Sequence, residues 1–152
     1  MDNIDGNNLR EIVRILVRNL GLLERSGACC SGVTLTQCHA IVEIGRAKEI
    51  TLNALAESLN VDKSTISRTI DNLVILDYVT RETHPENRRC IKIGLSNNGQ
   101  TIFEKIEQSM MDYYNNLISM VAVEKKEIVH EGLQLLIDIV KQNKYCAMKG
   151  LL

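Results

Sequence analysis

Between Lys63 and Arg68 the chain reads Lys-Ser-Thr-Ile-Ser-Arg, which packs three hydroxyls and two cations into six residues. A hydroxyl both donates and accepts hydrogen bonds, and a cation complements phosphate. No acid stands between Lys63 and Ile70 to compete. Presented from one helix end, such a set suits phosphate oxygens and base edges, and the free amides of a first helical turn favour phosphate as well. A second cluster is Cys29, Cys30 and Cys38, with His39 beside the last. Thiolates are soft ligands for thiophilic metals and metalloids, and a loop just before a helix start lowers a thiol's pKa. Yet this spacing matches no standard zinc pattern. Cys38 also shares an apolar face with Leu35 and Val42, where cysteine is an ordinary small core residue. Both readings of the cysteines stand. Cys90 and Cys146 suggest no site, and His39, His84 and His130 are scattered.

Catalysis is not expected. Cys38 and His39 are neighbours on a predicted helix and point about 100° apart, so they cannot pair as nucleophile and base. No phosphate loop, paired carboxylate site or dinucleotide fingerprint is present.

The 152 residues suffice for a single domain, with a formal charge of −1 and one proline. Near-neutrality argues against a basic coat protein or a polybasic membrane binder, while leaving local basic surfaces open. The apolar runs are too short to span a bilayer, and the acidic start Met1-Asp2-Asn3-Ile4-Asp5 is unlike a signal peptide. A cytoplasmic location with no membrane partner is the expectation, and there the five cysteines would not be structural disulfides.

Periodicity supplies the elements that hold these groups. Residues 7–25 carry Leu9, Ile12, Val13, Leu16, Leu20 and Leu23 at helical spacing. Thr34 and Gln37 form a capping box for a helix with Leu35, Cys38, Ile41 and Val42 on one face, stopping near Gly45. Thr51 caps a third helix with Leu52, Leu55, Ala56 and Leu59 inward. Asn60-Val61-Asp62 is a tight turn, and Asp62 caps a fourth with Ile66, Ile70, Leu73 and Val74 inward, ending near Asp77. Tyr78–Thr83 and Arg89–Leu95 then read as strands around a polar tip, His84-Pro85-Glu86-Asn87-Arg88. Ser96 caps a long helix to about Met120, and a last helix covers roughly 124–143, with Ile128, Leu135, Leu136 and Ile139 apolar.

Two short helices around a tight turn make a helix-turn-helix, and the hairpin after it reads as a wing with Arg88 and Arg89 at its tip. Arginine there suits a narrow minor groove, while Arg81 and Lys92 are placed to reach phosphates. Ile50-Thr51-Leu52-Asn53-Ala54-Leu55-Ala56 followed by Asp62-Lys63-Ser64-Thr65-Ile66-Ser67-Arg68 resembles the helix-turn-helix of MarR (multiple-antibiotic-resistance regulator) proteins. Arg81 through Arg89 resembles that family's wing, and Leu95-Ser96-Asn97-Asn98-Gly99 the segment after it. The sequence departs from the family at His84 and Asn87, where aspartates are usual. Asp77 replaces a glycine, and Ala122-Val123 leaves the last helix without a hydroxyl cap.

The resemblance implies a mainly α fold with a small β-hairpin wing. It implies a winged helix-turn-helix over residues 34–95, and dimerisation helices at 7–25 and 97–143, within one chain 1–152. It implies a transcriptional regulator, a repressor, that binds a pseudo-palindromic operator in double-stranded DNA as a homodimer. Lys63, Ser64, Thr65, Ser67, Arg68, Arg81, Arg88 and Arg89 are the expected DNA contacts. The alternative is a winged-helix protein-interaction module, which should expose apolar residues on the second helix; the outward polar set at its start favours DNA. For the effector two readings remain. One is a thiol-directed signal at Cys29, Cys30 and Cys38, from a thiophilic metal, a metalloid or an oxidant. The other is a small organic ligand, to which Tyr113, Tyr114, Met110 and Met111 would contribute.

Overall fold

The computed structural model describes residues 5–25 and 32–143, in six helices and three strands. Backbone contacts divide the chain into a unit ending at Met110 and a second beginning at Met111.

The first unit starts with α1 (Gly6–Arg25), whose first turn is held by the Asp5 carboxylate accepting from the Asn8 N–H at 2.9 Å. Then α2 (Leu35–Ala47) begins on the expected capping box: the Thr34 hydroxyl accepts from the Gln37 N–H, and the Gln37 side chain from the Thr34 N–H. It runs two residues past Gly45, because an α-helix accepts glycine where a close neighbour demands it. A Cβ on Gly45 would lie 2.5 Å from the Phe103 ring. After Lys48 the chain makes a strand that local pattern does not predict, β1 (Glu49–Thr51). Three residues are too few for a period of two to register.

Thr51 ends that strand and caps α3 (Leu52–Ser58), its hydroxyl accepting from the Ala54 N–H. The turn into α4 (Lys63–Ile75) is a Schellman closure: Val61 N–H bonds Ala56 O and Asn60 N–H bonds Glu57 O, with Asn60 left-handed at φ 52°. The same closure ends α4, where Tyr78 N–H reaches Leu73 O and Asp77 N–H reaches Val74 O. Asp77 stands in the left-handed position at φ 59°, where a glycine would cost less. Its carboxylate accepts from the Asn98 side chain at 2.6 Å, which offsets part of that cost.

The wing is part of a three-stranded antiparallel sheet, β1-β3-β2, with β2 (Val79–His84) and β3 (Asn87–Leu95). Ile50 faces Ile93 across β1 and β3, and Arg81 faces Ile93 across β2 and β3. The strands extend further than expected, so the loop tip is only Pro85 and Glu86, and Arg88 and Arg89 belong to β3. The side chains of His84, Arg88 and Arg89 lie outside the described residues.

Ile41, Ile44, Leu55, Ile66, Ile70, Leu73, Ile93 and Ile106 are fully buried and knit α2, α3, α4, β3 and α5 (Asn97–Ser119) around one core. Burying each such side chain is worth about 1.5–3 kcal/mol. Two expected core positions are not in it. Val74 is 39% exposed, displaced by the turn that ends α4, and Leu35 sits at the first helical position and is 38% exposed.

The start of α5 is fixed to the end of α4. The Ser96 hydroxyl accepts from the Gly99 N–H at 2.9 Å and donates to the Asp77 carbonyl at 2.5 Å. A Cβ on Gly99 would fall on the Tyr78 carbonyl oxygen, so the Leu-Ser-x-x-Gly segment is a cap and a close approach in one.

In the second unit α6 (Val123–Gln142) starts at Ala122 with no side-chain cap and buries no residue. Its apolar side chains are open, Ile128 at 68%. In the first unit the apolar stripe that spacing gives α1 is also open: Leu9, Ile12 and Leu16 are all exposed. Among the described residues no helix is long and apolar enough to cross a membrane.

Candidate nucleic-acid interface

The exposed side of α4 carries the predicted contact set. Asp62 precedes the helix in extended conformation and orders its first turn. Its Oδ1 accepts from the Thr65 N–H at 2.9 Å and from the Ser64 hydroxyl at 2.5 Å, and its Oδ2 accepts from the Thr65 hydroxyl at 2.6 Å. The Ser64 hydroxyl, the Thr65 hydroxyl and the Thr65 N–H hold this carboxyl far below the usual carboxylate range. Of the first-turn amides expected to stand free for phosphate, that of Thr65 is taken by Asp62.

Lys63 and Arg68 are exposed and have no hydrogen-bond or ion-pair partner among the described residues. Both remain available to an anion. Ser67 is half-buried, and Thr69 turns its hydroxyl back to the Thr65 carbonyl at 2.9 Å.

Two predicted phosphate ligands are already engaged. Arg81 on β2 binds Asp71 of α4 at 2.5 Å, which ties the wing to the recognition helix. Lys92 on β3 binds Glu49 of β1 at 2.8 Å, and that contact raises its pKa. Local patterns did not reveal Asp71 and Glu49 as partners, since each pair joins different elements. Asp62 was visible as a cap. The hydroxyls two and three residues later are the signal that it would capture their protons as well.

The thiol cluster is not assembled among the described residues. Cys38 is 7% exposed and lies in the core, while Cys29 and Cys30 fall outside the described residues. Among the described residues no group of three or more His, Cys, Asp and Glu is placed to hold a metal ion. Lys48, Glu49, Thr80 and Lys92 help line a polar hollow of about 190 Å³ beside the sheet, below the ~300–1,000 Å³ typical of ligand pockets. On α5, Tyr113 and Tyr114 pack edge to face with ring centroids 5.1 Å apart.

A helix-turn-helix, a β wing tied to its second helix, and a polar outward face whose two cations have no partner among the described residues define a protein of the winged-helix class. Residues 33–91 match the sequence profile of the MarR family. That match spans the helix-turn-helix and most of the wing, and over it the chain resembles helix-turn-helix transcriptional regulators. It is 21% identical over 113 residues to an uncharacterised HTH-type transcriptional regulator of Mycobacterium leprae, covering 74% of this chain and 79% of that one. In fold it resembles Streptococcus pneumoniae FabT, solved in complex with DNA, with a TM-score of 0.83, 19% identity, and coverage of 91% of this chain and 99% of that chain. It also resembles a cysteine-to-serine mutant of Escherichia coli MarR complexed with operator DNA, with a TM-score of 0.72, 22% identity, and coverage of 84% of this chain and 92% of that chain.

Proposed function

We propose that the protein is a cytoplasmic, sequence-specific repressor that binds a pseudo-palindromic operator as a homodimer. The observation that carries this reading is the exposed start of α4, where Lys63 and Arg68, without a partner among the described residues, stand beside Ser64 and Thr65. A major groove admits such a helix, and the N-terminal residues of a recognition helix meet base edges. Arg68 is assigned to a base edge, Lys63 and Ser67 to the groove wall, and Arg88 and Arg89 to the minor groove or its phosphates. Arg81 contributes through the wing it anchors. The open apolar faces of α1 and α6 support a dimer, because a monomer would leave Ile12, Val17 and Ile128 in water. Residues 34–95 then form the DNA-binding region, with 7–25 and 97–143 joining the two copies.

The signal that releases DNA is proposed to be either a thiol-directed agent acting through Cys29 and Cys30 or a small organic ligand. Burial of Cys38 leaves that thiol poorly accessible to an agent from solvent. Replacing all three by Ser and titrating DNA binding against zinc, arsenite and peroxide separates the two: equal responses in both proteins leave the organic ligand.

The test of the main reading is Arg68→Ala on an operator selected from random DNA. A bidentate base contact is worth about 1–3 kcal/mol, and its loss relaxes preference at one position. Arg89→Ala should weaken binding more evenly across sequences and reduce the salt slope by about 1. If neither substitution moves the isotherm, the interface is wrongly assigned.

A further inference from the structure

The hydroxyls at the start of α4 have a fixed polarity. A carboxylate only accepts hydrogen bonds, and a hydroxyl has one proton to give. The Ser64 proton goes to Asp62 Oδ1 at 2.5 Å and the Thr65 proton to Oδ2 at 2.6 Å. Both side chains are exposed, so what they turn outward is lone pairs. We propose that Asp62 is a specificity-positioning residue, which makes Ser64 and Thr65 obligate acceptors and so selects bases with a major-groove amino group.

The consequence follows from groove chemistry. On the strand that these hydroxyls meet, adenine presents an N6 amino group and cytosine an N4 amino group, whereas guanine and thymine present acceptors. An acceptor hydroxyl pairs with the first two and is repelled by the second two. It is equally repelled by phosphate oxygens, so Ser64 and Thr65 are not backbone ligands. Arg68, a pure donor, has the opposite preference, and adjacent positions of one half-site are read with opposite polarity. Since Asp62 stays ionised far into acid, the polarity holds across the physiological range.

This inference rests on the DNA-reading function proposed above, and the experiment separates the two. Full-length wild type, S64A, T65A and D62N are each used in random-pool selection. Wild type should enrich A or C at one or two half-site positions, and S64A or T65A should flatten those positions alone. In D62N the side-chain oxygen still accepts from the Thr65 N–H, but its amide donates to one hydroxyl and frees that proton. Preference at the mapped position should then move toward G or T. Duplexes in which the mapped adenine is replaced by hypoxanthine, or the mapped cytosine by uracil, exchange an amino for a keto group. The exchange should weaken wild type by roughly three- to tenfold, the scale of one hydrogen bond, and weaken D62N by less. The ratio of affinities for the two duplexes is read on one protein, so partial unfolding does not move it. Keto bases at the mapped positions would overturn the inference while DNA reading stands. So would selection unchanged in both S64A and T65A, or equal ratios in wild type and D62N. A wild type that selects no sequence would overturn both.

Discussion

Replacing Gly99 by alanine tests the joint between the recognition helix and α5. In an unconstrained helix the change would gain about 1 kcal/mol from propensity alone. Here the new Cβ would strike the Tyr78 carbonyl oxygen and lie 2.8 Å from its carbon and 3.2 Å from its Cα. These are backbone atoms, so no side chain can swing away, and normal contact at ~3.5–4.0 Å requires α5 to retreat. Retreat opens the Ser96 bridge, which joins the Gly99 N–H at 2.9 Å to the Asp77 carbonyl at 2.5 Å. Losing a helix cap costs about 1 kcal/mol, losing a second hydrogen bond about 1, and overpacking about 1–3. Offset by the propensity gain, the net loss is about 2–4 kcal/mol. Urea unfolding at matched protein concentration reads this as a midpoint lower by about 1–2 M at constant m. Since Tyr78 also closes α4 through Leu73, operator affinity should fall with it. A midpoint equal to or above wild type would refute the close approach.

Sedimentation at micromolar concentration should show a dimer, and a monomer that DNA does not pair would sink the two-fold operator. Asp71→Asn should cost under about 1 kcal/mol of stability, as exposed pairs do. By freeing Arg81 it should steepen the salt dependence of DNA binding by about one unit; an unchanged slope would mean that Arg81 reaches no phosphate. The Asp62 carboxyl, followed by NMR, should titrate below its unfolded value of 3.8. Its contribution to stability is therefore present above that pH and is lost as pH falls toward the folded value. A midpoint at or above 3.8 would contradict the hydroxyl contacts.

The parts legible in the sequence are those whose cause is local. Thr34 and Gln37 are three residues apart and announce their own capping box, and Ile66, Ile70 and Leu73 declare the buried face of α4 by spacing alone. The parts that were not legible depend on distant residues. Nothing near Glu49-Ile50-Thr51 marks a strand; it exists because β3 offers an edge at Lys92, Ile93 and Gly94. Arg81 looks like a phosphate ligand until Asp71, ten residues earlier and on another element, is seen to hold it. Gly99 matches a family pattern in the sequence, but its reason is the carbonyl of Tyr78. The stripe on α1 was visible as apolar, whereas what covers it is not a property of one chain's periodicity.

The aspartates around α4 together explain how a nearly neutral chain suits specific DNA recognition. Lys63 and Arg68 are matched in number by Asp62 and Asp71, so the recognition helix with its cap carries no formal net charge. Sequence-independent affinity grows with the number of phosphates neutralised, and a recognition helix so balanced would keep it small. Each acid also directs something. Asp62 aims two hydroxyl protons, Asp71 holds the wing, and Asp77 closes the helix against Asn98. On the proposed function, charge that would have bound any DNA is exchanged for geometry that favours one sequence. What matters for a regulator among a vast excess of non-specific sites is the ratio of specific to non-specific binding. Removing one of these acids should therefore tighten binding to random DNA at low salt and narrow the gap to the operator.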